Sequence, residues 1–233
     1  MANKKKHEEK DPEIAIESAI GNTEAWLQRN SKLLLTILCA VVVVVGGYFA
    51  YQYLYKAPRQ EKAATAMYSA QNAFAALDYE LALNGDGNTV GFLQIVDRYG
   101  NTTSGNLAKH YVGQCYLKQG DYANAILYFD QYKPVKNSIP AAALNAMNAG
   151  LTGDAYAQLG DFAKAAQAYE KAILAGNDQL TTPYYGLKAG AAFEQTGNFA
   201  RALEIYTMVL NNYPGATEIT EVLKAIARVE QKL

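Results

Sequence analysis

The chain has 233 residues with 21 Lys and Arg against 22 Asp and Glu, so it carries no net field to gather nucleic acid or an acidic surface. Two histidines, His7 and His110, and two cysteines, Cys39 and Cys115, form no metal-ligand or disulfide pattern, and each cysteine reads as a small buried hydrophobe. The phosphate-loop, zinc-protease and nucleophile-elbow motifs are absent, which leaves an enzyme, a cofactor or a small-molecule substrate without support.

Residues 1–32 read as a cytoplasmic-type tail. Mixed charges over residues 1–10 give way to a short amphipathic helix that starts at Asp11-Pro12 and carries Ile14, Ala15, Ser18 and Ala19 at helical spacing. Residues 33–55 contain no charged side chain and no histidine, and predict one membrane helix in contact with lipid. Lys32 and Lys56 bracket it. From Trp26 to Tyr48 is 48 − 26 = 22 residues, about 33 Å of helix, so Trp26 at one end and Tyr48, Tyr51, Tyr53 and Tyr55 at the other match two interfacial belts. A cleaved signal peptide would need a shorter leader and a small-x-small site where these tyrosines stand. Thr36, Ala40 and Gly47 lie near one stripe on which another membrane helix could dock. Lys4, Lys5, Lys6, Lys10, Arg29 and Lys32 outnumber Lys56, Arg59 and Lys62. That bias places the tail in the cytoplasm and the domain on the far side of an inner membrane crossed once.

Pro58 is expected to end or bend the membrane helix. Beyond it, Met67, Ala70, Phe74, Leu77 and Leu81 keep one apolar helical face up to the turn residues 84–88, and Phe92, Ile95, Val96 and Tyr99 form the face of a shorter helix. Residues 60–104 therefore predict a helical hairpin. A calcium loop at residues 84–88 would need later carboxylate ligands that do not follow, so a plain turn is expected.

From here the sequence repeats itself. Gly113, Gly153 and Gly190 are each followed by an aromatic, Tyr116, Tyr156 and Phe193, and then by the turns Gly120-Asp121-Tyr122, Gly160-Asp161-Phe162 and Gly197-Asn198-Phe199. Ala125, Ala165 and Ala202 follow at 125 − 113 = 165 − 153 = 202 − 190 = 12 residues from the first glycine, and Phe129, Tyr169 and Tyr206 come after them. The spacing predicts antiparallel helix pairs that cross where Gly meets Ala, with the aromatics beside each crossing. Gly120, Gly160 and Gly197 sit where the first helix of each pair must stop. Pro214 closes the last unit, and Thr217 is placed to cap a final helix with Ile219, Val222, Leu223, Ile226 and Val229 as its apolar stripe.

These residues resemble the tetratricopeptide repeat over residues 107–214. The resemblance implies an all-α fold: a single transmembrane helix, an α-solenoid of three helix-turn-helix units over residues 105–216, and a capping helix over residues 217–233 that covers the last apolar face. It also implies a concave protein-binding surface lined by the first helix of each unit. Carried over position by position, the candidates are Leu107, His110, Gln114, Lys118, Met147, Asp154, Gln158, Tyr184, Leu187 and Glu194. Only Lys118 answers to the cations that clamp a peptide carboxylate in some members, so a broader contact anchored on Tyr184, Met147 and Leu187 is expected.

The order of tail, span, hairpin and repeats, with Leu83 to Gly87, Gly91-Phe92-Leu93, Gly105 to Ala108 and Tyr213-Pro214, is similar to the ancillary Sec-translocon subunit family (YfgM-like). That resemblance implies a non-catalytic accessory protein beside the secretion channel, with translocon subunits, periplasmic chaperones or emerging secretory chains as partners. A scaffold facing the cytoplasm is the alternative.

Overall fold

A computed structural model of the protein describes residues 26–136 and 139–233; the expected amphipathic helix near Asp11 lies outside them. Helices joined by turns and short irregular stretches make up the described residues, with one isolated bridge, Gly85 to Val90, and no strand. The chain forms two units that part between Pro58 and Arg59.

In the first unit, α1 (Ser31–Ala50) has no buried residue, and it is the one helix among the described residues that is long and apolar enough to cross a membrane. The one polar side chain between Leu33 and Gly47 is satisfied locally, since the Thr36 hydroxyl donates to the Lys32 carbonyl at 2.8 Å. The backbone stays helical to Ala75, so Pro58 does not stop it. Instead the turns before Pro58, Tyr51–Lys56, widen into a π-helix in which the Ala57 amide reaches the Gln52 carbonyl. Proline has no amide to give the carbonyl four residues back, and its ring crowds that oxygen; the wider turn relieves both.

The second unit is built from α2 (Ala57–Ala75) from Arg59 onward, α3 (Tyr79–Asn84), α4 (Phe92–Tyr99), and then three pairs. These are α5 (Thr103–Gln119) with α6 (Tyr122–Gln131), α7 (Ile139–Gln158) with α8 (Phe162–Gly176), and α9 (Thr181–Gln195) with α10 (Phe199–Asn212). A last helix, α11 (Ile219–Glu230), packs on α9 and α10.

Each pair turns in the same way. Gly120, Gly160 and Gly197 take φ of 82°, 77° and 76°, a region costly to side chains with a Cβ. The amides of Asp121, Asp161 and Asn198 then reach back to the carbonyls of Tyr116, Tyr156 and Phe193 at 2.9, 3.0 and 2.9 Å, ending the first helix. Their side chains accept from the amides of Asn124, Lys164 and Arg201, starting the second.

A fourth turn of this kind precedes the three, and the sequence reading missed it. Leu77 has φ 65°, the Asp78 amide reaches the Ala73 carbonyl at 3.0 Å, and the Asp78 side chain accepts from Leu81. The expected unbroken face through Leu77 and Leu81 is thus corrected: the helix stops at Ala75, Leu77 is 70% exposed, and α3 turns back. Its second helix is short, and Phe92 of α4 completes the core by stacking on Tyr111 at 4.8 Å and meeting Phe74 edge-on. Residues 84–88 form a plain turn in which Asp86 accepts from the amides of Asn88 and Thr89.

At the crossings the aromatics come closest to the glycines. A Cβ added to Gly113, Gly153 or Gly190 would lie 2.5, 2.6 or 2.2 Å from the ring of Phe129, Tyr169 or Tyr206. Each first helix is therefore notched for the aromatic of its partner helix. Ala125, Ala165 and Ala202 are fully buried, where a larger side chain would overfill the core. The second and third units join by the same device, Gly150 of α7 receiving the ring of Tyr185 from α9, while within the third pair Gly186 of α9 receives Val209 of α10.

The cap is corrected in two details. Val222, Ala225 and Val229 are buried while Leu223 is 49% exposed, and α11 starts after Glu218 without a side-chain cap, because the Thr217 hydroxyl bonds to Glu218 instead.

Candidate protein-binding face

The first helices α5, α7 and α9 carry the ten candidate side chains, and the structure sorts them by local packing. Lys118 and Gln158 are exposed near the ends of their helices, where the left-handed glycine stops the helix and leaves the last turn open to water. With Asp154 and Lys188 they border a cleft of about 420 Å³. A second cleft of about 380 Å³ shares Ala157, Tyr169 and Lys188 with it and adds Phe162, Ala191 and Gln195.

Lys188 divides the two. Its ammonium lies 2.8 Å from Asp154 Oδ1 and 4.6 Å from the centre of the Tyr184 ring. Burial works against its charge, but the bonds to Asp154 and Tyr184 outweigh burial and hold its pKa above the ordinary lysine value. The Tyr169 hydroxyl donates to the same carboxylate oxygen at 2.7 Å. Burial first, then the Asp154 charge, pushes the Tyr169 phenol far up, so it stays protonated. Tyr184 and Met147 are 43% and 42% exposed, large enough surfaces to anchor a partner. Gln114 and Leu107 are half-buried, and Leu187 packs against the core under the cap.

Two candidates do not belong to an open face. His110 is 2% exposed, ringed by Tyr111, Phe129 and Tyr132. Asn148 donates through Nδ2 to the Phe129 carbonyl at 3.0 Å, which turns its Oδ1 toward His110 Nδ1 at 2.9 Å. The imidazole proton therefore sits on Nδ1. Burial pulls the His110 pKa below its ordinary value, with the Asn148 bond opposing. It is a joint between α5 and α7. Glu194 is likewise committed, accepting from the Tyr206 hydroxyl at 2.7 Å and from Arg228 of the cap. The Arg228 bond, chiefly, holds its carboxyl below the usual range against partial burial.

Lys188 and Gln195 were missed by the sequence reading. The signal for Gln195 was there, since 118 − 113 = 158 − 153 = 195 − 190 = 5 places it in register with Lys118 and Gln158. Nothing in the repeat pattern marked Lys188, whose role comes from Asp154 of the preceding unit. Cys115 is sealed in the core, its thiol pushed up to about 12 by burial, so it is unreactive.

No curated protein matches the chain. Family models described as tetratricopeptide repeat match residues 108–133, 151–175 and 184–216, the three notched pairs, and no catalytic family is indicated. The chain therefore carries tetratricopeptide repeats, a module that binds proteins.

Proposed function

We propose that the protein is a membrane-anchored adaptor whose first-helix face binds protein partners, as an accessory subunit of the Sec translocon or of the envelope chaperone network. The observation that supports this most is the run of Lys118, Asp154, Gln158, Lys188 and Gln195 along two adjoining clefts, with the Tyr184 ring beside Lys188. It mixes an ion pair, amides and an exposed aromatic, the chemistry of an adaptable contact rather than of a reaction. Residues 33–55 anchor it in an inner membrane, and the lysine bias of residues 1–32 favours a cytoplasmic tail with the repeats in the periplasm.

Affinity purification of the detergent-solubilised full chain tests the reading. Translocon or periplasmic chaperone subunits are expected to copurify, and to be lost when Lys118→Glu is combined with Tyr184→Ala. Copurification that survives deletion of residues 63–233 would remove the repeats from the function. Protease added to intact spheroplasts is expected to digest the repeats; their protection would instead support a scaffold facing the cytoplasm.

A further inference from the structure

The second helices form grooves of their own where units meet, and the two such grooves differ. Between α6 and α8 the groove encloses about 310 Å³ and is lined by Lys164, Gln167, Ala168 and Lys171. Between α8 and α10 it encloses about 660 Å³, about twice as much. In the same register, since 201 − 197 = 164 − 160 = 4, it carries Arg201, Glu204, Ile205 and Met208. Stacking of units does not require this apolar lining, because the preceding junction packs with Ala168 and Lys171 in those places. Leu174 stands on its lip, 82% exposed, and Ile173 lines the wall beside it.

The rim has a definite charge. Arg201 is held by two carboxylates, Glu170 across the groove and Glu204 on its own helix. One cation against two anions leaves the rim with a net charge of −1. The wall from Glu170 to Asn177 rises over 177 − 170 = 7 residue steps, or about 10 Å, two turns of helix.

We propose that the groove between α8 and α10 is a second docking site, distinct from the first-helix face, for an amphipathic helix that seats apolar side chains on Ile173, Leu174 and Met208 and offers Lys or Arg to Glu170 and Glu204. An acidic helix meets repulsion at the rim. The bare leucine and the excess negative charge shared by Glu170 and Glu204 around one arginine are both satisfied by one basic, apolar partner.

The test uses the full chain in phosphatidylcholine nanodiscs, with empty discs subtracted, and a fluorescent 14-residue amphipathic helix of leucine and lysine beside its leucine and glutamate twin. The lysine peptide is expected to bind saturably, and carbodiimide to couple it to Glu170 and Glu204, as mapped by mass spectrometry. Leu174→Ser with Met208→Gln is expected to weaken it at least tenfold, and Glu170→Gln with Glu204→Gln several-fold. Lys118→Glu with Tyr184→Ala is expected to leave it unchanged, which separates this site from the first-helix face. Equal binding of both peptides, coupling only at other carboxylates, or full affinity in the Leu174 and Met208 variant would overturn the proposal. Self-association abolished by Leu174→Ser without peptide binding would overturn it too, assigning the groove to a second copy.

Discussion

Gly153 and Leu77 show how much of this architecture is decided by single backbones. Gly153 has no room for a Cβ against the Tyr169 ring, so Gly153→Ala is expected to destabilise the full chain by about 1–3 kcal/mol in denaturant titration, the usual cost of overpacking. Leu77 is the opposite case. It holds the left-handed conformation that its counterparts give to glycine, with its side chain in water rather than in the core. Leu77→Gly is therefore expected to stabilise by roughly 0.5–1 kcal/mol, the relief of a left-handed Cβ less the added freedom of glycine when unfolded. Gly160→Ala, at φ 77° with open space around it, is expected to lose about 1 kcal/mol by the same reasoning. A loss of stability in Leu77→Gly would show that this turn is held by something other than the shared geometry.

At the scale of helices, the repeat was legible because its glycines, turn acids and aromatics are local requirements that recur at fixed offsets. The fourth turn was hidden because Leu stands where Gly is expected, although Ala70 and Ala82 keep the offsets: 77 − 70 = 7 and 82 − 77 = 5, as 160 − 153 = 7 and 165 − 160 = 5. Partners within the crossing were less legible. The spacing gave Gly and Ala equal claim to each other, and only the path of the second helix shows that the ring 16 residues on, 169 − 153 = 16, fills the notch. His110 looked like a face residue because the repeat register put it there, and Asn148 from the next unit made it internal. That placement has a pH consequence. Its native pKa lies below the ordinary value, so the unfolded chain takes up a proton first as pH falls below about 6.5. The His110 contribution is complete above that pH and declines below it. Stability of the full chain measured between pH 7 and pH 5 is expected to fall less steeply in His110→Gln than in the wild type. Parallel slopes would show that the imidazole is not desolvated at this joint.

For the whole molecule, the junctions are unequal. Asp154 with Lys188, Glu170 with Arg201, and Glu194 with Arg228 tie the second pair to the third and the third to the cap, whereas the first pair meets the second through neutral bonds around His110 and Asn148. These pairs are partly exposed, so each contributes little alone. Glu194 is the exception in consequence, because it also holds the buried Tyr206 hydroxyl. Glu194→Ala is expected to loosen α11 and raise hydrogen exchange across residues 219–230 while leaving residues 103–131 protected. Uniform change along the chain would mean that the cap and the first pair unfold together.

The central claim, that stacked pairs present the first-helix face to a protein partner, is tested most directly by site-specific photocrosslinking in native membranes. A photoreactive residue at Lys118 or Tyr184 is expected to give discrete protein adducts, and one at Lys232, beyond the cap, none. Equal adducts from Lys232, or none from the face in membranes where the partner is present, would contradict the account.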